Sequence, residues 1–289
     1  MNQFKEDVNA GLSSVPKRLN SKYFYDEIGD KLFVDIMNMP EYYLTDAELE
    51  IFTKQTAELI KALGFTKDQP VEIIELGAGD GTKTIELLKE LLKQDYPIRY
   101  LPVDISKHAL DNLEGMLANK LPELNVETRQ GDYFEVLSSL KSSSIRKVVL
   151  FLGSNIGNLT DDRSSEFMQR LSENINQNDC LLLGVDLIKS VDIVLPAYND
   201  EAGITRAFNL NLLNRINKEL GANFDLDRFE HFPEYNEEEG IAKSALVSLE
   251  EQQVAIRSLN KVFSFQKNEK IHTEISRKYN DEIINKIIE

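Results

Sequence analysis

A repeated alternation of strand, turn and helix between about residues 71 and 190 constrains the fold of this chain more than any other feature of its sequence. The apolar run VEIIEL ends in the glycine-rich turn GAGDG, and the next segment, TKTIELLKELLKQ, repeats isoleucine and leucine at helical spacing. Four further strand candidates lie within IRYLPVDIS, LNVETRQGDYF, KVVLFLGS and CLLLGVDLI. This alternation predicts an α/β fold with a parallel sheet covered by helices. Uninterrupted apolar runs such as KVVLFL are typical of strands buried on both faces.

Two segments, residues 1–61 and 191–254, lie outside this alternation. Helical periodicity recurs in them, and the charge cluster YNEEEG is typical of a solvated loop. We therefore predict a domain with the parallel sheet, formed by residues 62–190 and 255–289. An α+β subdomain that binds the substrate is predicted for residues 1–61 and 191–254.

The formal net charge of −16 at pH 7 argues against binding to a nucleic-acid backbone or an anionic membrane, because both are bound through clustered lysine and arginine. The single cysteine, Cys180, excludes an internal disulfide, and His108, His231 and His272 lack the spacing of metal ligands. The N-terminus lacks the apolar core of a signal peptide, and no apolar run approaches the ~20 residues of a spanning helix. We expect a cytoplasmic monomer that acts on a small molecule, without metal, nucleic acid or membrane.

The turn between the first strand and its helix is glycine-rich over residues 75–81, E-L-G-A-G-D-G. Glycines at such a turn let the backbone approach a ligand closely. The spacing G-x-G-x-G, with Thr82 at the place of a third dinucleotide-type glycine, departs from the G-x-G-x-x-G pattern of NAD sites. An NAD-dependent oxidoreductase is therefore disfavoured, but it stays open as an alternative.

Two aspartates end the second and third predicted strands. Asp104, in LPVDIS, suits both hydroxyls of a ribose, and Asp132, in QGDYF, suits an adenine amino group with Tyr133 or Phe134 packed on the ring. Taken singly, each aspartate is equally explained as a surface residue after a strand. Together with the glycine turn, they predict a nucleotide site at the carboxyl edge of the sheet.

These strand ends resemble those of the S-adenosylmethionine-dependent methyltransferases of the seven-stranded, Rossmann-like type. The resemblance implies that Glu75 precedes the glycine turn as the family's acidic residue, that Asp104 binds the ribose and that Asp132 lies beside the adenine. Lys83 is expected to reach the methionine carboxylate, with a solvated lysine as the equal alternative. The predicted cofactor-binding residues are Glu75, Gly77, Gly79, Lys83, Asp104, Asp132 and Tyr133.

Four longer stretches resemble one subfamily, the histidine N-alpha-methyltransferases of ergothioneine biosynthesis. They are KYFYDEIGDKLFVDIMNMPEYYLT (22–45), FLGSNIGNL (151–159), VLPAYNDEAGITRAFNLNLL (194–213) and IHTEISRKY (271–279). The resemblance implies methyl transfer from S-adenosylmethionine to the α-amino group of a free amino acid. L-Histidine is the expected substrate, methylated up to the trimethylated betaine.

The same resemblance implies a substrate pocket assembled from both predicted domains. Asn158 and Tyr198 are expected to hold the substrate carboxylate, an amide and a phenol that add no cation beside the substrate ammonium. Tyr25 is the expected catalytic residue, because it or an ordered water accepts the amine proton without a histidine base or a metal. The predicted substrate-binding residues are Phe33, Tyr42, Gly153, Asn158, Tyr198, Phe208, Glu274 and Ser276.

Glu274 and Ser276 alternate on a predicted sixth strand, so both project to one face. The resemblance implies that this pair reads the imidazole, the carboxylate accepting its N–H and the hydroxyl meeting its other polar edge. A surface ion pair of Glu274 with Arg277 or Lys278 is the alternative.

Thr45 and Glu48 have the spacing of a capping box at a helix start, beside two adjacent tyrosines. We expect Tyr42 to face the ligand and Tyr43 to face the protein. Ser244 stands where the subfamily usually has methionine, so another amino acid is an alternative substrate. The last residues, NDEIINKIIE, indicate a helix, which leaves no sequence for the seventh strand of this fold. A nucleotide-binding regulatory module without catalytic activity is the alternative from another class.

Overall fold

The structure is a computed structural model that describes residues 2–288. The helices are α1 (Asn2–Ser13), α2 (Glu27–Met37), α3 (Tyr43–Lys54), α4 (Thr56–Ala62), α5 (Thr84–Lys93), α6 (Lys107–Lys120), α7 (Tyr133–Leu140), α8 (Asp161–Asn174), α9 (Val191–Val194), α10 (Ile204–Leu220) and α11 (Asp281–Ile288). The strands are β1 (Lys17–Arg18), β2 (Val71–Leu76), β3 (Ile98–Asp104), β4 (Asn125–Val126), β5 (Arg129–Gln130), β6 (Arg146–Phe151), β7 (Cys180–Leu183), β8 (Phe229–Asn236), β9 (Ile241–Ser248), β10 (Gln252–Ile256), β11 (Lys261–Phe265) and β12 (Lys270–Arg277).

The described residues form two compact units. We call Leu44–Asp186 together with the described residues from Asn280 onward the parallel unit. The described residues up to Tyr43, together with Leu187–Tyr279, form the antiparallel unit.

The parallel unit contains a sheet with the strand order β4-β3-β2-β6-β7, in which β5 also pairs with β3 and every pair is parallel. This order confirms the predicted Rossmann-like α/β sheet. The third predicted strand is divided into β4 and β5, which pair with β3 in succession.

Burial of both faces explains the apolar sequences of this sheet. All residues of β2 are buried, and α5 packs its predicted leucine and isoleucine stripe into the same core. The continuous apolar run at β7 predicts a fully buried strand, but all four of its residues are only partly buried. Among the described residues β7 is the last strand of the sheet and pairs only with β6, which explains its exposure.

The antiparallel unit contains a sheet with the order β1-β12-β9-β8 and a separate β10–β11 hairpin. The prediction that β12 is the sixth strand of the parallel sheet is wrong, because β12 pairs antiparallel with β9 and parallel with β1. Residues 255–279 therefore belong with this unit and not with the domain predicted to hold 255–289. The predicted division at residue 254 separated β12 from its partner.

The predicted N-terminal boundary at residue 61 also differs from the structure, in which the division follows Tyr43. Helix α3 from Leu44 onward and helix α4 belong to the parallel unit because Phe52 and Ile60 are buried in its core. The core of the antiparallel unit is built around α10, whose Phe208, Leu212 and Ile216 pack with residues of α1, β8 and β12. The terminal helix predicted from NDEIINKIIE is present as α11.

Candidate functional site

The glycine turn of the parallel unit connects β2 with α5 in a left-handed backbone conformation. Gly77, Gly79 and Gly81 have φ of 74°, 54° and 66°, a region that side chains disfavour. A Cβ at Gly77 would lie 2.8 Å from the Tyr133 hydroxyl, and one at Gly81 would lie 2.4 Å from Leu113 Cδ1. A Cβ at Gly79 would meet no atom of a described residue within 4 Å. Gly79 therefore borders open space, whereas its neighbours are needed to close the turn.

Asp104, at the end of β3, lies directly beside this turn. Its Oδ2 accepts the Gly79 N–H at 3.3 Å, and its Oδ1 accepts the Ser106 N–H at 2.9 Å. The structure thus brings together two of the predicted cofactor-binding residues that are 25 positions apart.

Asp132 begins α7 as its N-cap, where Oδ1 accepts the N–H of Phe134 at 2.9 Å. The next residue, Tyr133, lies against Phe151 with a ring-centre distance of 5.9 Å, and its hydroxyl is close to Gly77. Burial, with Asp104 and Asp132 adding to it, raises the pKa of the Tyr133 hydroxyl, so the phenol keeps its proton. Phe134 packs instead on Phe167, so Tyr133 is the aromatic residue beside the glycine turn.

Glu75 is 4% exposed and lies under the glycine turn. Its Oε1 accepts the Thr84 hydroxyl at 2.8 Å, and its Oε2 accepts the Tyr100 hydroxyl. Burial raises the pKa of Glu75 to about 7, although both hydrogen bonds lower it. Glu75 thus joins β2 to β3 and α5, which positions the turn; direct contact with the cofactor stays a prediction.

Lys83 has a protein partner, because its ammonium pairs with the carboxylate of Glu48. Glu48 Oε1 also accepts the N–H of Gly153 at 2.9 Å, and a Cβ at Gly184 would lie 2.5 Å from this oxygen. A solvated Lys83 is therefore ruled out, and its contact with the cofactor carboxylate stays a prediction. No sequence signal indicated the Glu48–Lys83 pair.

The predicted capping box at Thr45 is wrong. Helix α3 begins at Tyr43, before Thr45, and Glu48 turns away to Gly153 and Lys83. Glu48 therefore forms the ion pair with Lys83 in place of a helix cap with Thr45, which would contribute only about 1 kcal/mol.

The segment after β6 carries two of the predicted substrate residues. Gly153 has a left-handed φ of 68°, and Asn158 is exposed at the end of a 3₁₀ helix over Asn155–Asn158. Sequence reasoning missed Asn155, whose Nδ2 would lie 3.4 Å from a Cβ at Gly77. Ser154 also has a positive φ, 55°, and its hydroxyl accepts the Asp186 N–H at 3.1 Å.

In the antiparallel unit, three predicted aromatic residues form one cluster. The Tyr25 ring lies 5.4 Å from Phe33 and 5.8 Å from Phe208, in edge-to-face geometry. Phe208 is 3% exposed and Tyr25 40% exposed, so the cluster extends from the core to the surface. Tyr42 packs between this core and the smaller cluster that contains Tyr198.

Glu274 lies on β12 with a partly buried side chain. Burial raises its pKa to about 7, and the charge of nearby Lys278 opposes that rise. Within residues 2–288, no hydrogen-bond donor reaches the Glu274 carboxylate at bonding distance. The alternative of a surface ion pair is wrong, because Lys278 is fully buried and Arg277 is not among the charges that act on Glu274. This carboxylate can therefore accept a hydrogen bond from a ligand.

Ser244 lies opposite Glu274 in the register of β9 and β12. It is 1% exposed, and its hydroxyl has no hydrogen-bond partner among the described residues. Ser244, where the sequence departs from the subfamily, thus lies next to Glu274, which is predicted to bind the imidazole.

Tyr198 is buried, and its hydroxyl accepts a hydrogen bond from Lys278 Nζ at 2.8 Å. The same ammonium lies 3.0 Å from Ser276 Oγ. The expectation that no cation lies beside Tyr198, the phenol predicted to bind the substrate carboxylate, is therefore wrong. The sequence predicted Arg277 or Lys278 only as a surface partner of Glu274, with Arg277 disfavoured by period two, and gave no sign that Lys278 is buried.

The parallel unit fits S-adenosylmethionine by the chemistry of its groups. The Asp104 carboxylate suits a ribose diol, and the exposed Asp132 suits an amino donor. Gly79 leaves its side of the turn open for the approach of a ligand. Among the described residues, no helix combines the length and apolar character that crossing a membrane requires.

The sequence profile of one protein family, described as "Histidine-specific methyltransferase, SAM-dependent", matches residues 4–289. Histidine N-alpha-methyltransferase of Mycolicibacterium smegmatis is 37% identical over 278 residues, covering 96% of this chain and 85% of that protein. The Mycobacterium tuberculosis protein of the same name is 34% identical over 280 residues, covering 97% and 85%. Ergothioneine biosynthesis protein 1 of Schizosaccharomyces pombe is 31% identical over 286 residues, covering 94% of this chain and 36% of that protein.

The parallel sheet, the open glycine turn and the acidic strand ends fit S-adenosylmethionine, the cofactor that the family description names. Because the match extends over nearly the whole chain and the bacterial relatives exceed 30% identity, the chain belongs to the family of histidine-specific, S-adenosylmethionine-dependent methyltransferases.

Proposed function

We propose that this protein transfers a methyl group from S-adenosylmethionine to the α-amino group of L-histidine and repeats the transfer up to the trimethylated betaine. The names of the two bacterial relatives support histidine as the substrate. The observation that carries this choice is Glu274, a partly buried carboxylate that no donor of the described residues reaches. An imidazole N–H supplies the donor that this group lacks.

On the cofactor side, we assign the ribose to Asp104 and the adenine edge to Asp132 and Tyr133. Gly77 and Gly79 let the cofactor approach the backbone of the turn closely. The other predicted cofactor residues, Glu75 and Lys83, support the turn from beneath and beside it. When bound, S-adenosylmethionine supplies an electrophilic methyl group on a sulfonium. The task of the chain is to orient the amine, and well-aligned orientation contributes up to roughly 7–11 kcal/mol in model systems.

On the substrate side, Tyr198 donates to the carboxylate, and Glu274 with Ser276 binds the imidazole. Phe33, Tyr42 and Phe208 provide apolar walls for the amino acid. Asn158 and Gly153 remain part of the proposal as further substrate contacts. The residue types match a zwitterion with a polar ring.

The amine must lose a proton before it attacks, and an α-amino group has a pKa of about 7.7–8.0 in a peptide. The Tyr25 hydroxyl oxygen is proposed to accept a hydrogen bond from the amine, while an ordered water takes the released proton to solvent, because a neutral phenol cannot hold a second proton. A Tyr25→Phe variant should keep histidine binding and lose at least about tenfold in kcat. Full turnover by this variant would remove Tyr25 from the mechanism.

We further propose that the protein acts as a monomer in the cytoplasm, within ergothioneine biosynthesis. The S. pombe relative named for that pathway supports the assignment. Size-exclusion chromatography with light scattering tests the monomer, and a dimer mass would contradict it.

Thermal shift and mass spectrometry test the function. The melting temperature should rise with S-adenosylmethionine and rise again when histidine is added, because ligands that bind only the native state stabilise it. Mass spectrometry should then find trimethylated histidine in a panel of common amino acids. A cofactor shift without any methylated product would favour the regulatory module.

A second candidate substrate is another amino acid, favoured by the buried Ser244 hydroxyl beside Glu274. A Ser244→Met variant restores the residue usual in the subfamily. If histidine is the substrate of the natural chain, this change should alter the ranking of the panel little. A strong gain of histidine turnover in the variant would indicate that Ser244 redirects specificity.

A further inference from the structure

Lys278 follows β12 directly and is the one fully buried lysine that the described part of the antiparallel unit contains. Its Nζ lies 2.8 Å from the Tyr198 hydroxyl oxygen and 3.0 Å from Ser276 Oγ. It also lies 5.0 Å from the centre of the Tyr198 ring. The lysine therefore contacts two residues that sequence reasoning assigned to the substrate.

An ammonium only donates hydrogen bonds, whereas a hydroxyl both donates and accepts. Because Tyr198 and Ser276 accept from Lys278, each directs its own hydrogen elsewhere. A lysine at this place fixes the direction of both hydroxyl groups as donors. Donors are what a substrate carboxylate and an unprotonated imidazole nitrogen require.

A buried ammonium also requires a compensating negative charge. The carboxyl group of Glu274 is the acid whose ionisation Lys278 promotes, against the larger opposing effect of burial. A substrate carboxylate on Tyr198 would bring a second negative charge to the lysine. Charge-assisted hydrogen bonds of this kind are stronger than neutral ones.

We propose that Lys278 is a positioning residue of the amino-acid site, which holds Tyr198 and Ser276 as hydrogen-bond donors and provides the positive charge that a substrate carboxylate requires. The inference rests on the proposed function. Lys278 acts through Tyr198, so its effect should depend on whether the ligand carries a carboxylate.

The test compares histidine with histamine, which keeps the imidazole and the amine but lacks the carboxylate. Affinities are measured by isothermal titration calorimetry with S-adenosylhomocysteine present, so that no turnover occurs. In Lys278→Met, the ratio of histidine affinity to histamine affinity should fall at least about tenfold. Tyr198→Phe should lower the same ratio, and combining both changes should lower it no further.

Lys147→Met is the matched control. Lys147 is also fully buried, but its Nζ binds the backbone carbonyls of Ser143 and Ile145 in the parallel unit. Its loss should destabilise the fold and leave the ligand ratio within about twofold. Lys278→Gln keeps a neutral donor in the buried place and carries the test if Lys278→Met does not fold.

An unchanged ratio would overturn the proposed role of Lys278, whether both affinities stay the same or fall by the same factor. Lys278 would then have a structural role alone. Failure of the unaltered protein to bind histidine would instead overturn the proposed function. The two failures are therefore distinguishable in one data set.

Discussion

Each unit contains one carboxyl group whose pKa is raised to about 7 by burial: Glu75 in the parallel unit and Glu274 in the antiparallel unit. Glu75 accepts hydrogen bonds from Thr84 and Tyr100 of its own unit. Glu274 receives none from the described residues; burial raises its pKa, and the charge of Lys278 opposes that rise. Similar pKa values thus arise at a satisfied structural acid and at an acid available to a ligand. Whether the protein already supplies hydrogen bonds to the carboxylate, more than its pKa, distinguishes an acid that supports the fold from one that can bind a ligand.

The largest effect is expected from Glu75→Gln. The pKa of Glu75 is about 7 in the folded state against 4.5 for an unperturbed group, so the folded state binds more protons between these values. The free energy of unfolding therefore falls as pH rises from 4.5 to 7, by about 3 kcal/mol for this group. Urea unfolding across this range should show a shallower decline in Glu75→Gln. An unchanged slope would contradict the assignment.

Glu274 also lowers the free energy of unfolding as pH rises, so the Glu75→Gln variant should keep part of this dependence on pH. The two contributions separate in the double variant, Glu75→Gln with Glu274→Gln. If the double variant declined as steeply as Glu75→Gln alone, Glu274 would have no raised pKa.

Glu274→Ala should weaken histidine binding by about 10- to 100-fold, because a hydrogen bond to a charged group is lost. Glu274→Gln should have a histidine affinity between that of Glu274→Ala and that of the natural chain, since an amide oxygen accepts a hydrogen bond but carries no charge. Glu234→Ala is the control, because Glu234 is an exposed acid on β8 that pairs with Lys270. Calorimetry that found Glu274→Ala equal to the control would refute the imidazole contact.

Gly79→Ala should weaken S-adenosylmethionine binding about tenfold or more, because the added methyl group enters space open to the ligand. Gly203→Ala is matched to it, since Gly203 also has a positive φ, 74°, and a Cβ there meets no described atom within 4 Å. Both changes should cost about 1–2 kcal/mol of stability from backbone strain. Equal cofactor affinity in the two variants would place the cofactor elsewhere.

The smallest effect concerns the Glu48–Lys83 pair. Glu48→Gln and Lys83→Met should each lower the free energy of unfolding, and a double-mutant cycle should show a coupling of about 1 kcal/mol. Both side chains are largely buried, with 14% and 21% exposed, so water screens the pair only in part. Strict additivity would show that Lys83 is held by something other than Glu48.

The parallel unit was the more predictable of the two because its signals are local. Each strand, turn and helix follows in sequence, and Asp104 and Asp132 stand at strand ends that a parallel sheet brings to one edge. The ion pair of Glu48 with Lys83 was not predictable, because it joins residues 35 positions apart, one on α3 and the other just before α5.

The antiparallel unit was less predictable because its parts are distant in sequence. Tyr25 precedes α2 and Phe208 lies on α10, so only the fold brings the two rings together, and their association was inferred from family resemblance alone. Strand β12 was assigned to the wrong sheet, since its alternation identifies a strand and not its partner. Lys278 was missed because a lysine in sequence is ordinarily exposed, and only the fold shows its burial.

The most direct test of the account is carbon-13 NMR titration of the glutamate side-chain carboxyl groups, with and without histidine, in the presence of S-adenosylhomocysteine. A hydrogen bond from the imidazole stabilises the ionised carboxylate, so histidine should lower the pKa of Glu274 from about 7 and leave that of Glu75 unchanged. If histidine bound without moving the pKa of Glu274, or moved that of Glu75 instead, the division between a structural acid and a recognition acid would be wrong.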